Sequence, residues 1–551
     1  MRNPRRSPRR WVISTVAVAA TCLPVVMTTA VPAQATTPPP ASGGLLGGVV
    51  GGLGGLVGGV VGGLLGGVVG VVSTAVDTTT GLLTGADWGY AAGQTPMTDV
   101  DKAIGATALQ NQGITGKGVG VALVDTGVVP VQGLTSGNVV NGPDLSLDNA
   151  SPNLANLDGF GHGTHMAGII AGNDGTPGGF KGVAPGATLV NVRVGASSGA
   201  VDVSQVISAI DWVVQHRNDP GMNIRVLNLS YGTNSTQAYR IDPLAAAVEN
   251  AWRAGIVVVV AGGNSGSQQP SLDDPATDPY VIAVGADDIN GTPGTSLDDS
   301  VPSFSSAGSS TRRVNLVAPG QSIVSLRDPG SVVDTEYPNA EVGTRFFKGS
   351  GTSQAAAVVS GAAALLLQQR PWLSPDQVKA LLTTTASAMP GVSAQLRGAG
   401  LVNVAAANAA PVVGPSTQSF APALGTGSIE AARGSIHVSD NGTDLTGERD
   451  IFGQAWHAGV WAAASHSDDA WTGGTWNDSV WSGTCWCGES WTPRTWSDAT
   501  WSGPDWAGVP WQSHSWSDED WSSHSWSGSG WVSHSWSDAS WSSHSWSGHG
   551  W

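Results

Sequence analysis

Asp125, His162, Asn264 and Ser353 are the residues of this chain whose types could together carry out covalent chemistry. A serine hydroxyl is a weak nucleophile until an adjacent imidazole takes its proton. A carboxylate on the far ring nitrogen then fixes the tautomer and stabilises the imidazolium. An amide N–H donor aimed at the attacked carbonyl oxygen holds the oxyanion. The local contexts suit these roles. Asp125 ends the apolar run Val121-Ala-Leu-Val124, His162 lies in Gly161-His-Gly-Thr-His165, and Asn264 follows Ala261-Gly-Gly263. Ser353 closes Gly349-Ser-Gly-Thr-Ser353 and opens an apolar run without a polar face until Gln368. Such a run is a buried helix, which Pro371 stops. Ser353 therefore sits at a helix N-terminus, among free N–H groups and the positive dipole end. Taken alone, Ser353 also reads as an ordinary N-cap, and it is the three partners that raise the catalytic reading above it. His165 is a rival base on the same helix face, but one turn further from the helix start, so His162 is favoured.

These residues need a scaffold that brings distant segments to one edge. From about Thr98 to Ala410 short β-branched runs alternate with amphipathic stretches. Val119–Val124, Thr188–Val194, Ile224–Leu229, Ile256–Val260 and Val281–Val284 fit strands buried on both faces of a parallel sheet. Val203–Arg217 and Pro243–Ala254 read as helices, and Ser374-Pro-Asp-Gln377 is a capping box that starts another. The expected fold class is α/β: a doubly wound, mainly parallel sheet with helices on both faces. Functional residues should gather beyond the carboxyl ends of its strands.

With these motifs in place, the chain resembles the subtilisin-like serine peptidases, the subtilases. The order Asp, His, Asn, Ser matches, as do Asp125-Thr-Gly, Gly161-His-Gly-Thr-His, Gly351-Thr-Ser and the segments Ser230-Tyr-Gly232, Ala318-Pro-Gly320 and Gly398–Asn403. The resemblance spans about residues 98–410. It implies that Ser353 is the nucleophile, His162 the base, Asp125 its orienting carboxylate and Asn264 the oxyanion donor. It also implies that Ser230, Tyr231 and Gly232 bind extended substrate backbone as an edge strand does. By the same alignment Asp273 and Asp274 fall at the floor or rim of the pocket for the residue before the scissile bond, where carboxylates favour a basic side chain. Where the family usually has Met, Pro and His after the serine, this chain has Gln354, Ala357 and Val358; no catalytic group is lost. No cofactor is required for the chemistry. Structural calcium is common in the family, but no ligand loop stands out, and no metal ligands are assigned. An aspartic protease would need a second paired Asp motif, which is absent. The rival of a different class is a surface-binding protein with a vestigial peptidase fold and a working Trp tail.

Composition bounds the partners. Residues 1–35 carry Arg2, Arg5, Arg6, Arg9 and Arg10, then an apolar stretch and Ala33-Gln-Ala35, the pattern of a cleaved export signal. Arg9-Arg10 also fits a twin-arginine route. Removing the segment takes five Arg and no acid from a net charge of −17 and leaves −22. That argues against nucleic acid as a partner, because phosphate binding needs clustered Lys and Arg. Protein or peptide substrates remain, and the expected location is outside the cell or on its surface. Residues 36–97 are a Gly/Val/Leu-rich segment of low complexity, and residues 411–447 read as a linker. Within the last segment, 448–551, Trp stands at 456 and 461 and at every fifth residue from 471 to 551. A period of five gives no stripe on a helix, where it advances about 140° per repeat, and no single face on a strand. The tryptophans are expected to point outward, for cell-wall, glycan or self-association contacts. His514, His524, His534 and His544 recur every ten residues and read as solvated. Cys485 and Cys487, the only cysteines beyond the signal, lie in this tail, so the central fold must form without disulfides.

Overall fold

The computed structural model describes residues 93–147, 154–267, 271–412 and 417–480, apart from 436, 441–442 and 473, together with short strands at 495–496, 499–500 and 506–507. Its centre is a seven-stranded sheet. The strands are β1 (Gly120–Asp125), β2 (Val139–Asp144), β3 (Thr188–Arg193), β4 (Ile224–Leu229), β5 (Val257–Ala261), β6 (Ile282–Asp287) and β7 (Leu316–Pro319). They lie in the order β2-β3-β1-β4-β5-β6-β7, and every pairing is parallel. β1, β5, β6 and β7 are buried along their whole length, as their unbroken apolar runs require. β2 is the exception. It contains Gly142-Pro143, is half exposed and forms an edge, the position where a sheet tolerates proline.

Helices cover both faces. α1 (His162–Ala171) packs with α4 (Thr352–Gln369) on one face, and α2 (Val203–His216) packs with α3 (Pro243–Arg253) on the other. α4 is buried from Thr352 to Leu367, consistent with its lack of a polar face. α2 begins on a capping box in which the Asp202 side chain accepts from the Ser204 N–H and Gln205 returns a bond to the cap. α5 (Pro375–Thr384) begins on the Ser374 capping box read from the sequence. A smaller sheet lies beside α1: Thr95–Pro96 runs parallel to Ile323–Leu326, which pairs antiparallel with Phe346–Gly349. Order therefore begins before residue 98.

The stretch read as a linker is folded onto the α2–α3 face. Its short helix Ile429–Arg433 places Arg433, 2% exposed, against the α2 cap residue Asp202, Nε to Oδ2 at 2.6 Å. Arg433 also donates to the carbonyls of Gly447 and Arg449. Helix α6 (Ala458–His466) and a meander of two-residue strands, Trp471–Thr472, Thr475–Trp476 and Ser479–Val480, follow. Here the outward expectation fails for the four repeat tryptophans whose side chains are described. Trp456, Trp461, Trp471 and Trp476 are all buried. The Trp461 and Trp476 indoles donate to Asp211 Oδ2 on α2 at 2.8 and 3.0 Å, and Ser465 donates to Asp211 Oδ1 at 2.5 Å. Trp471 donates to the Ser208 carbonyl at 2.9 Å. Trp471 opens one two-residue strand and Trp476 closes the next, so the two are register partners across the pair, and the turn Asn477-Asp478 at positive φ leads to the third strand. Cys485, Cys487, the four repeating histidines, the export signal and most of 36–97 lie outside the described residues.

Candidate active site

Each candidate residue sits at the end of an element, on the carboxyl side of the sheet. Asp125 is the last residue of β1, His162 the first of α1 and Ser353 the second of α4, while Asn264 lies three residues beyond β5. His162 Nδ1 is 2.7 Å from Asp125 Oδ1, and neither side chain is exposed. The same carboxylate oxygen accepts from the Thr126 N–H at 2.8 Å. His165 makes no such contact with Asp125. Burial and the neighbouring His162 push its imidazole down to about 3, so it stays neutral at working pH and is a much weaker base than an ordinary histidine.

Two glycines allow the imidazole and carboxylate to approach. Gly161 has φ of +104°, and a Cβ there would lie 2.5 Å from Ser331 Oγ. A Cβ on Gly163 would lie 2.1 Å from the Gly127 carbonyl oxygen. Asp158 anchors the start of α1. Its carboxylate accepts from the N–H groups of Gly161 and Thr164 at 2.7 Å each, from the Phe160 N–H at 3.2 Å and from the Thr126 hydroxyl at 2.8 Å. Burial raises the Asp158 pKa despite these donors. Sequence reasoning missed Asp158. The signal was an Asp four residues before a histidine at a helix start, but only the fold shows that its carboxylate also ties down the residue after Asp125.

Ser353 is fully buried, as are Thr352 and Asn264. Its hydroxyl donates weakly to the Ser230 carbonyl at 3.4 Å, and Ser230 Oγ returns a bond to the Ser353 carbonyl at 3.1 Å. Ser230 is braced in turn by Asn228, which accepts from Ser360 of α4 at 2.8 Å. Asn264 Oδ1 accepts from the Thr352 N–H at 2.9 Å and the Thr352 hydroxyl at 3.0 Å. With its oxygen held there, the amide's Nδ2 is turned to the opposite side. Ser230, Tyr231 and Gly232 follow directly on β4. Tyr231 is 1% exposed and its phenol is pushed up by burial, so only its backbone is left to meet a substrate. Thr233 exchanges backbone bonds with Asp274 at 2.8 Å each way, which ties this segment to the expected pocket.

The two pocket aspartates separate. Asp273 lies against the oxyanion segment, its Oδ2 2.6 Å from where a Gly263 Cβ would stand. Asp274 points elsewhere. It has no exposed surface, accepts from the Thr277 hydroxyl at 2.8 Å and faces Asp242, and burial with that like charge raises its pKa well above the ordinary value. A carboxyl so placed cannot form a pocket rim. Among the described residues no group of three or more His, Cys, Asp or Glu converges to hold a metal ion.

Comparison with known proteins follows the same segments. The model of the Subtilase family matches residues 116–403. The chain is 40% identical over 299 residues to "Serine protease AprX" of Bacillus subtilis (strain 168), covering 53% of this chain and 66% of that one. It is 37% identical over 306 residues to "Subtilisin DY" of Bacillus licheniformis, covering 55% and 96%. A solved structure of MycP1 with its N-terminal propeptide removed aligns at 29% identity over 58% of this chain and 99% of that one, with a TM-score of 0.45.

Proposed function

The chain belongs to the subtilase family and is a serine endopeptidase, and we propose that it cleaves protein substrates through an acyl-enzyme formed on Ser353. His162 Nε2 takes the proton as Ser353 Oγ attacks the scissile carbonyl. Nδ1–H donates to Asp125, which keeps Nε2 the accepting nitrogen and stabilises the imidazolium. The Ser353 N–H at the start of α4 and Asn264 Nδ2 hold the tetrahedral oxyanion. His162 then returns the proton to the leaving amine, and a water repeats the sequence on the ester. The observation that carries this reading is the 2.7 Å contact of His162 with Asp125, neither side chain being exposed. Backbone at 230–232 would pair with extended substrate. Of the two acids, Asp273, which lies against Gly263 beside Asn264, is the one we expect to favour a basic residue before the cut.

Labelling with a phosphonylating probe tests the proposal. The adduct should map to Ser353 and vanish in Ser353→Ala. Labelling that persists in that variant would overturn it.

We also read the protein as exported on residues 1–35. Among the described residues no helix is long and apolar enough to cross a membrane. Surface attachment would fall to the repeats beyond 480, because the first four tryptophans are used internally. Sedimentation of the full chain with isolated cell wall, compared with a chain ending at 480, tests attachment. Equal binding would remove it.

A further inference from the structure

Most buried carboxylates of this protein face donors: Asp158 has four, Asp211 has three, and Asp202 has Arg433. Asp287 and Asp299 do not. Asp287 closes β6, and Asp299 lies on the loop that follows. They are 1% and 6% exposed, and among the described residues no donor reaches any of their four carboxylate oxygens. The two carboxyls stand within hydrogen-bonding reach of each other, and Asp288 and Asp298 add like charge nearby. Neither acid has a cationic neighbour that lowers its pKa, and the chain has no Lys, Arg or His between Arg253 and Arg312. Two contacting carboxylates out of water cannot both stay ionised unless a positive charge joins them; otherwise they must share a proton.

The loop is built to keep the pair facing inward. Asp288 and Ser300 exchange backbone bonds at 2.8 and 3.1 Å. The Asp288 carboxylate accepts from the Asn290 N–H at 2.9 Å, and the Asp298 carboxylate from the Thr292 hydroxyl at 3.0 and 2.9 Å. The outer acids thus hold the loop, while the inner two remain without donors.

We propose that Asp287 and Asp299 bind a divalent cation of the hard, oxygen-ligated class, calcium being the ion that fits. Two carboxylates alone do not fill a calcium shell of 6–8 oxygens, so backbone carbonyls and water supply the rest. An irregular loop suits calcium, which tolerates varied geometry, better than magnesium, which demands a near-ideal octahedron. The site adjoins the nucleophile's turn. The Asp287 carbonyl accepts from the Gly320 N–H at 2.9 Å, and the Gly320 carbonyl from the Gly351 N–H at 2.8 Å, two residues before Ser353. A cation here would brace that turn.

The test uses the full chain carrying Ser353→Ala, which cannot digest itself. Its melting temperature is measured in EGTA and in millimolar calcium chloride, alone and with Asp287→Asn or Asp299→Asn. Calcium should raise the melting temperature of the parent, and each Asn variant should lose that increment. Hydrogen exchange on the parent supplies a second readout that needs no variant: calcium should slow exchange across 287–300. Equal calcium shifts in parent and variants, no shift in the parent, or unchanged exchange across 287–300 would each overturn the proposal and leave the pair sharing a proton.

Discussion

Substituting Asp211 by Ala should release the C-terminal segment from the back of the peptidase fold. The carboxylate accepts from two indole N–H groups and one hydroxyl, all buried. Each buried donor left without an acceptor costs about 1–3 kcal/mol, so three come to about 3–9 kcal/mol. The ionised carboxylate is itself disfavoured by burial, which pushes its pKa up to about 6. At pH 8 that amounts to about 3 kcal/mol and offsets part of the loss. Water entering the space left by the shorter side chain offsets more. We therefore expect a net loss of about 2 kcal/mol at pH 8, which would lower hydrogen-exchange protection of residues 458–480 about 30-fold. The sign of the pH dependence follows from the same shift. Docked Asp211, with Asp468 adding like charge nearby, holds its proton more tightly than the undocked group, whose value is near 3.8. Docking should strengthen by about 1.4 kcal/mol between pH 8 and pH 5, and that gain is lost as pH rises through 6. Asp211→Asn should abolish this dependence. Unchanged protection in Asp211→Ala, or the same pH dependence in Asp211→Asn, would refute the reasoning.

Three further outcomes follow from the geometry. Arg433→Met leaves Asp202 buried and unpaired and should cost about 3–5 kcal/mol, read as a lower melting temperature, with partial recovery on adding Asp202→Asn. Gly163→Ala forces a Cβ against the Gly127 carbonyl and should shift His162 off Asp125, lowering kcat/KM about 100-fold or more in a peptide assay. Asn264→Ala should lower kcat about 10²–10³-fold with KM little changed, since its amide acts on charge that develops only in the transition state.

Much of the central fold is legible in the sequence because its strands are buried on both faces. The run Ile224–Leu229 coincides with β4, and the other four expected strands fall within a few residues of their observed ends. Val139–Asp144 escapes such a reading because Gly142 and Pro143 break the apolar pattern at a sheet edge. Leu316–Pro319 escapes it because Asn315 interrupts the apolar run and Pro319 ends it, leaving only three apolar residues in a row. Local motifs mark Asp125, His162, Asn264 and Ser353, since each needs a sharp turn or a helix start at its own position. Asp158 and Asp211 are illegible for the opposite reason. Their meaning lies in donors brought from elsewhere, in the case of Asp211 from residues about 250 positions away. The tryptophan period misleads in the same way. A repeat fixes spacing, but whether the indoles face water depends on the α2 surface they meet.

The most direct test of the central claim is a double-mutant cycle on the proposed nucleophile and base. With kcat for a peptide substrate measured in Ser353→Ala, His162→Ala and the double variant, each single change should remove about 10⁶-fold, and the double should remove hardly more. Losses that multiply, or a Ser353→Ala enzyme that keeps a substantial part of its turnover, would contradict the account.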